Sequence, residues 1–222
     1  MAADHARGGK EAMRAYVGDT RSRKLLSRLR EEGIGQIIIR GKLPGRRLDL
    51  WAYDNGAFVD WKHGRPFDGA RFLADLEHIA SMKTALPAFA VLPDDVASAD
   101  SLRLSMQWLD RLEQMALLPV PMYLAVQDGM KPDGIPWKRG FSGIFMGGTL
   151  EWKVRNAPRW AQAARDHGRA FHYARCGTRR RIMQAKAIRA DSIDSCLPLF
   201  SRDNLRIFLD ALRQQLLFFE VE

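Results

Sequence analysis

Ala190-Asp-Ser-Ile-Asp194-Ser-Cys-Leu-Pro198 has the pattern of a short β-strand that ends in a carboxylate, Asp194, just before a loop. Four earlier stretches share this design, in which an apolar strand ends in polar or glycine residues: 50–56, 88–95, 122–129 and 143–148. In a parallel barrel the carboxyl ends of the strands meet at one face. We therefore expect these strand ends to form one pocket, with Asp194 as the reacting group.

Predicted strands and helices alternate along most of the chain. Strands are predicted at residues 15–19, 36–40, 48–54, 89–92, 122–126, 143–146, 170–174 and 191–194. Amphipathic helices are predicted at residues 22–32, 68–82, 98–117, 150–167, 178–189 and 202–219. The segment 98–117 should be the longest helix, and Pro158 should bend or split the helix that follows it. The basic turn 41–47 has no helical pattern, so one crossover is expected to be reduced.

This alternation predicts an α/β protein with a parallel sheet. Eight strand–helix units are the number that closes a compact (βα)8 TIM-type barrel. An open, doubly wound sheet is the alternative, but no Gly-x-Gly-x-x-Gly follows the first strand. We expect a single catalytic domain at residues 14–222, preceded by a flexible tail at residues 1–13.

The composition disfavours several classes of protein. No apolar run approaches the roughly 20 residues that a membrane span needs, and the N-terminus lacks the apolar core of a signal peptide. Cys176 and Cys196 are the only cysteines, too few for a disulfide framework or a four-cysteine zinc site. The five histidines show no pair at metal-ligand spacing, and we expect them to be structural or on the surface. The sequence thus predicts a cytoplasmic protein with no metal, no cofactor and no membrane association.

The chain is strongly basic, with a net charge of +9 and a pI of about 9.9. Residues 131–189 hold 14 Lys or Arg against three Asp or Glu. Such a patch is typical of a nucleic-acid partner, because phosphate neutralisation supplies much of the affinity. The alternative is a solvated face on a basic cytosolic protein. The side chains that we expect to hold phosphates are Lys62, Arg65, Arg179, Arg180 and Arg181.

Two carboxylates from different strands indicate displacement at the anomeric carbon of a sugar, with Asp194 as nucleophile and Asp54 as general acid and base. Each also has a plain structural explanation. Residues 54–56 have strong turn chemistry, and Asp194 could cap the following helix. A Cys176 nucleophile with His172 as its base is a weaker alternative, since His172 would lie back in its strand rather than at the tip.

Further residues at the strand ends suit the recognition of a purine. A carboxylate at Asp94 could accept from the N1–H and the amine of a guanine, although neighbouring Asp95 could do the same. Gln127 can both donate and accept. The pair Gly147 and Gly148 would let a backbone N–H approach the ligand closely, unless it is only a packing or bulge feature. Phe58 could stack on the base or belong to the core.

Five stretches, in this order, resemble motifs of the tRNA-guanine transglycosylases. Tyr53-Asp54-Asn-Gly-Ala-Phe58 resembles their Asp-Ser-Gly-Gly-Phe, and Pro93-Asp94-Asp95 lies where they have a base-reading aspartate. Val126-Gln127-Asp-Gly resembles their Val-Gln-Gly-Gly, and Phe145-Met-Gly147-Gly148 resembles their Leu-Gly-Gly. The fifth stretch, Cys176-Gly177-Thr178 with Ala190-Asp-Ser-Ile-Asp194-Ser-Cys-Leu-Pro198, resembles their Val-Gly-Thr followed by Val-Asp-Met-Phe-Asp-Cys-Leu-Pro. The resemblance covers roughly residues 15–200. It implies that Asp194 is the nucleophile, Asp54 the acid and base, and that Asp94, Gln127, Gly147, Gly148 and Phe58 surround the base.

The chain departs from this family in ways that bear on its substrate. It lacks the family's cysteine-rich zinc motif and C-terminal extension, and the motifs are closely spaced. In this it resembles the phage-type DNA-guanine transglycosylases (DpdA family), which implies exchange of guanine in DNA for a free 7-deazaguanine base, in a host cytoplasm if a phage encodes it. Asn55 and Ala57 replace small residues of the family and are expected to alter the pocket. Asn55 is also expected to be among the residues that bind the substrate.

Other functions remain open from the sequence. The same exchange could act on tRNA, as in queuine or archaeosine formation, and an N-glycosidase would end in hydrolysis instead. From a different class, a catalytically silent nucleic-acid-binding subunit would keep the barrel for its basic surface. The presence of carboxylates at two strand tips favours catalysis.

Overall fold

The computed structural model describes residues 12–43 and 45–215. The predicted tail lies outside the described residues except for positions 12 and 13, and so does the end of the last predicted helix, from residue 216 onward. Among the residues described, no helix has both the length and the apolar character needed to cross a membrane.

Eight parallel strands form a closed barrel in sequence order. They are β1 (Arg14–Val17), β2 (Gly35–Ile39), β3 (Trp51–Asp54), β4 (Ala90–Val91), β5 (Met122–Val126), β6 (Gly143–Met146), β7 (Ala170–Tyr173) and β8 (Ser192–Ser195). The barrel closes where β1 pairs with β8, from Arg14 opposite Ser192 to Val17 opposite Ser195. The predicted (βα)8 architecture is confirmed, and it brings the carboxyl ends of all eight strands to one face, the mouth of the barrel.

Seven α-helices accompany the strands in residues 12–43 and 45–215. They are α1 (Arg23–Glu31), α2 (Ala57–Lys62), α3 (Gly69–Ser81), α4 (Ser101–Gln114), α5 (Leu150–Asp166), α6 (Arg179–Ala187) and α7 (Arg202–Arg213). Asp68 caps α3 as expected, accepting from the Arg71 N–H at 3.0 Å. The prediction that residues 98–117 form the longest helix is wrong, because α4 has 14 residues and α5 has 17.

Pro158 lies inside α5 without splitting it. Proline has no N–H to donate to the carbonyl four residues earlier, that of Val154. This carbonyl accepts instead from the Gln184 amide of α6, at 2.9 Å. A neighbouring helix therefore supplies the hydrogen bond that the proline removes.

Two crossovers lack a full helix. Between β2 and β3, the described residues 40–43 and 45–50 contain no helix, as the basic turn predicted. In place of a helix, the buried side chain of Gln36 anchors this connection. It donates to the Thr20 carbonyl at 3.2 Å and accepts from the Leu48 N–H at 2.8 Å. Between β5 and β6 the only helical turn in the described chain is a 3₁₀ turn at Pro132–Gly134.

Aromatic rings fill the interior of the barrel below the mouth. Phe89 and Tyr123 stack with centroids 4.2 Å apart, and Tyr16 meets Phe89 edge-on at 5.8 Å. The His172 ring stacks on Phe145 at 4.8 Å. These rings fill the interior of the barrel beneath the polar strand ends.

Candidate active site

The strand ends bring the predicted polar residues together at the mouth. Asp54 ends β3, Asp94 follows β4, Gln127 follows β5 and Asp194 lies in β8. Asn55 and Gln127 are buried, whereas the three aspartates keep partial exposure. The mouth therefore holds three carboxyl groups above the aromatic interior.

The Asp194 carboxylate is held by one of its two oxygens. Oδ1 accepts from His172 Nε2 at 3.0 Å and from the backbone N–H of Arg175 at 2.9 Å. The next N–H, that of Cys176, donates to the Asp194 backbone carbonyl at 2.6 Å. In the described chain no residue donates to Oδ2. One oxygen thus fixes the side chain, and the other keeps its lone pairs for a substrate.

His172 supports Asp194 from below. Its side chain is fully buried, and its Nδ1 lies 2.8 Å from the Ser192 hydroxyl. If Nδ1 accepts from Ser192, Nε2 carries the proton and donates to Asp194. The prediction that the five histidines are structural or on the surface is therefore incomplete for His172, because this side chain orients the predicted nucleophile.

Asp54 faces the same pocket as a second carboxyl group. Its Oδ1 accepts from the Gly56 N–H at 2.7 Å, which closes the turn that residues 54–56 were expected to form. Burial raises the pKa of Asp54 above its usual range, and the charge of Asp194 raises it further, against the Gly56 hydrogen bond and His172. A carboxyl group whose pKa is raised, beside a second carboxyl group that two donors hold in place, is the arrangement of a general acid and a nucleophile.

Asp94 is held by two amide side chains. Oδ1 accepts from Asn55 Nδ2 at 2.7 Å, and Oδ2 accepts from Gln127 Nε2. Burial raises the pKa of Asp94 to about 7, although the hydrogen bond from Asn55 acts in the opposite direction. Asp95 is exposed, so Asp94 is the aspartate of this pair that faces the pocket.

Asn55 organises the loop after β3 as well. Its Nδ2 also donates to the Leu92 carbonyl at 2.6 Å, and its Oδ1 accepts from the Ala57 N–H at 2.7 Å. This side-chain turn, with Gly56 at φ +76°, starts the short helix α2. The sequence pattern indicated no helix at residues 57–62, because the start of this helix depends on the side chain of one asparagine.

The two glycines after β6 have different roles. Gly148 has φ +78°, and a Cβ there would collide with Asp128 Oδ1, so only glycine fits. The Gly147 N–H donates to the Val126 carbonyl at 2.9 Å. It therefore does not serve as the expected backbone donor to a ligand.

Arg175 crosses the mouth and was not singled out in the sequence. Its backbone has φ +53°. Its guanidinium donates to the Gly148 carbonyl and lies 5.4 Å from the centre of the Phe58 ring. Phe58 is 46% exposed and contacts Trp61, with ring centroids 5.6 Å apart, so it lies at the rim and not in the core.

The predicted phosphate-binding side chains lie on the mouth side but differ in their partners. Arg65 pairs with Asp60 at 3.3 Å, Arg179 donates to Gln214 at 2.9 Å, and Arg181 donates to the Arg175 carbonyl at 3.1 Å. Lys62 and Arg180 are exposed. In the described residues, neither has a hydrogen-bond or ion-pair partner.

The structure argues against a thiol nucleophile. Cys176 is fully buried. Burial and the nearby Asp194 raise the pKa of its thiol to about 12, which favours the unreactive protonated form. His172 is committed to Asp194 and Ser192 rather than to this cysteine. Among the described residues no group of three or more His, Cys, Asp or Glu is placed to hold a metal ion.

Comparisons with known proteins identify the fold alone. No family model matches the chain, and no curated protein matches it. Among solved structures, a crystal structure of tryptophan synthase from M. tuberculosis, in the open form with BRD0059 bound, has a TM-score of 0.54 at 12% sequence identity. The alignment covers 91% of this chain and 91% of that chain. At this identity the likeness extends to the TIM barrel and not to the reaction.

Proposed function

We propose that the protein exchanges guanine for a 7-deazaguanine base in DNA through a covalent intermediate on Asp194. The observation that carries the proposal is the pairing of two unlike carboxyl groups in one pocket. Asp194 has one oxygen fixed and one open, while burial favours the protonated form of Asp54. This division of roles suits double displacement at a sugar carbon.

In the first step, Asp194 Oδ2 attacks C1′ of the target deoxyguanosine as the bond from C1′ to the base breaks. Asp54 gives its proton to the leaving guanine, so the base departs neutral. The Asp194 carboxylate becomes an ester of the sugar. His172 and the Arg175 N–H hold the oxygen that does not react.

In the second step, the incoming deazaguanine gives its ring N–H proton to the Asp54 carboxylate and attacks C1′ from the opposite side. The ester bond breaks, and Asp194 returns to its starting form. Two inversions retain the configuration of the sugar. Neither step needs a metal or a redox partner.

Base recognition is proposed for Asp94, Gln127 and Phe58. The Asp94 carboxylate would accept from the N1–H and the amine of the base, and Phe58 would cover its face from the rim. The pocket lies at the end of a closed barrel, so the target base must be flipped out or already unpaired.

The test is to incubate the protein with guanine-containing DNA and a free deazaguanine, and to analyse the nucleosides. Asp194→Asn should abolish both incorporation and a denaturation-resistant protein–DNA adduct. Asp95→Asn, which removes an exposed carboxylate after β4, is the matched control and should retain both. Incorporation that persists in Asp194→Asn would refute the proposed nucleophile.

The same experiment separates the remaining alternatives. An adduct on guanine-containing RNA but not on DNA would transfer the reaction to RNA. Abasic sites without added base would indicate an N-glycosidase. Binding of DNA with no adduct and no released base would indicate a silent binding subunit.

A further inference from the structure

A groove runs along the outside of the barrel between the first turns of α5 and α6. Its volume is about 440 Å³, within the range of roughly 300–1,000 Å³ that ligand pockets occupy. Both helices begin directly after strand ends, so the groove opens beside the mouth. None of the proposed catalytic or base-reading residues lines it.

The groove combines an apolar wall with cationic groups. Leu150 and Val154 form the wall and are 45% and 38% exposed. Arg155, Arg180 and Arg181 bring three guanidinium groups to its edge. Exposed aliphatic groups beside arginines suit a ligand that has both an apolar part and negative charge, and a nucleic-acid strand supplies these in its bases and its phosphates.

The guanidinium groups of this groove are only partly engaged. Arg180 has no partner among the described residues, and Arg155 pairs with Glu151 in an exposed i,i+4 contact at 3.0 Å. An exposed pair of this kind contributes little and exchanges readily for another anion. The groove therefore offers its charge to a ligand.

A short chain of hydrogen bonds joins the groove to the proposed nucleophile. Arg181, on the groove wall, donates to the Arg175 carbonyl at 3.1 Å, and the Arg175 N–H donates to Asp194 at 2.9 Å. The groove wall and the proposed nucleophile are thus linked through a single residue, Arg175.

We infer that the groove between α5 and α6 binds single-stranded DNA next to the target nucleotide. The placement of the target rests on the proposed function, whereas the groove itself does not. A base must be unpaired to enter the barrel mouth, and a single strand lying in the groove already presents its bases unpaired. The inference specifies strandedness, which charge alone leaves open.

The test measures binding of a fluorescent oligothymidylate, which contains no guanine and therefore does not engage the base pocket. Arg180→Gln should weaken binding and lower the slope of log affinity against log salt by about 0.7, the value for one lost phosphate contact on a single strand. Arg103→Gln on α4, which removes the same charge from an exposed arginine away from the groove, should leave the slope unchanged. An unchanged slope in Arg180→Gln would overturn the inference.

A second pair of variants tests the apolar wall. Val154→Glu should weaken oligothymidylate binding, whereas Ile207→Glu, a matched change at an exposed site on α7, should not. Equal effects in the two variants would contradict the groove. Duplex DNA of the same length should compete poorly, and equal competition would overturn the single-strand assignment.

The outcomes separate the groove from the reaction. Groove-dependent binding with no Asp194 adduct would refute the proposed function and leave the groove standing. An adduct that forms with Arg180→Gln binding DNA as the wild type does would refute the groove and leave the function.

Discussion

The His172–Asp194 hydrogen bond is the contact on which the proposed chemistry depends most. Among the residues that the structure describes, one other donor, the Arg175 N–H, binds the same carboxylate oxygen. Without the hydrogen bond from His172, the Asp194 carboxylate would rotate and lose its fixed orientation toward the sugar. His172 acts through Asp194 and is therefore a positioning residue.

We predict that His172→Phe slows adduct formation by about tenfold to a hundredfold. A hydrogen bond to a charged group contributes about 1.5–3 kcal/mol, and phenylalanine keeps the stacking on Phe145 while removing the donor. His172→Gln, which can still donate, should recover part of the rate. The measurement is the single-turnover rate of adduct formation, with the thermal midpoint recorded in parallel.

A purely structural histidine would give a different result. Both variants would then lower the midpoint while the folded protein kept its rate, and glutamine would rescue nothing. Sequence alone could not place this contact. Alternation in β7 and β8 indicates which side each residue faces, but only the register of His172 opposite Ser192 brings the imidazole under Asp194.

Arg175 was missed for a related reason. It follows the end of β7 and is one of many arginines in a basic segment, so its type carries no signal. Its place depends on a backbone conformation with φ +53°, which sequence patterns predict poorly for a residue other than glycine, asparagine or aspartate. The carboxylates were predictable because each ends an apolar strand.

Among the elements, the connection between β2 and β3 has the least regular structure and depends on one side chain. Gln36 is fully buried and joins the segments before and after β2 through the Thr20 carbonyl and the Leu48 N–H. A helix would satisfy its own backbone groups, whereas this connection needs an outside partner.

We predict that Gln36→Leu destabilises the protein by about 1–3 kcal/mol for each backbone group left without a partner. Leucine has a similar size, so the effect reports the hydrogen bonds rather than a cavity. Gln107→Leu, at an exposed position on α4, is the control and should change little. The measurement is the free energy of unfolding in urea, and an equal change in both variants would contradict this role for Gln36.

Element types were largely predictable, while details set by tertiary contacts were not. The spacing of apolar residues indicated each strand and each long helix, with ends displaced by a few residues. The continuity of α5 through Pro158 depends on Gln184 from another helix. The short helix α2 depends on the Asn55 side chain.

For the molecule as a whole, the alternation of strands and helices was enough to predict the closed barrel. The barrel in turn predicted that the strand ends would share a face, because parallel strands allow no other arrangement. Which groups would touch across that face depends on side-chain reach and on the reduced crossovers. The polar mouth also conflicts with stability, since burying carboxyl groups opposes folding.

This conflict gives a prediction for Asp94, whose pKa burial raises from 3.8 to about 7. A raised carboxyl pKa means that folding favours the protonated form, so its contribution to stability is fully present below about pH 4 and is lost as the pH rises through 7. The loss amounts to up to about 4 kcal/mol, at about 1.4 kcal/mol for each pKa unit. Asp94→Asn removes this titration. The free energy of unfolding of Asp94→Asn in urea, relative to that of the wild type, should therefore increase between pH 5 and pH 8, even if a mismatched amide lowers it at every pH.

Asp95→Asn serves as the control for charge at the strand tip. Parallel profiles for the wild type and Asp94→Asn would show that the mouth does not oppose folding through this group.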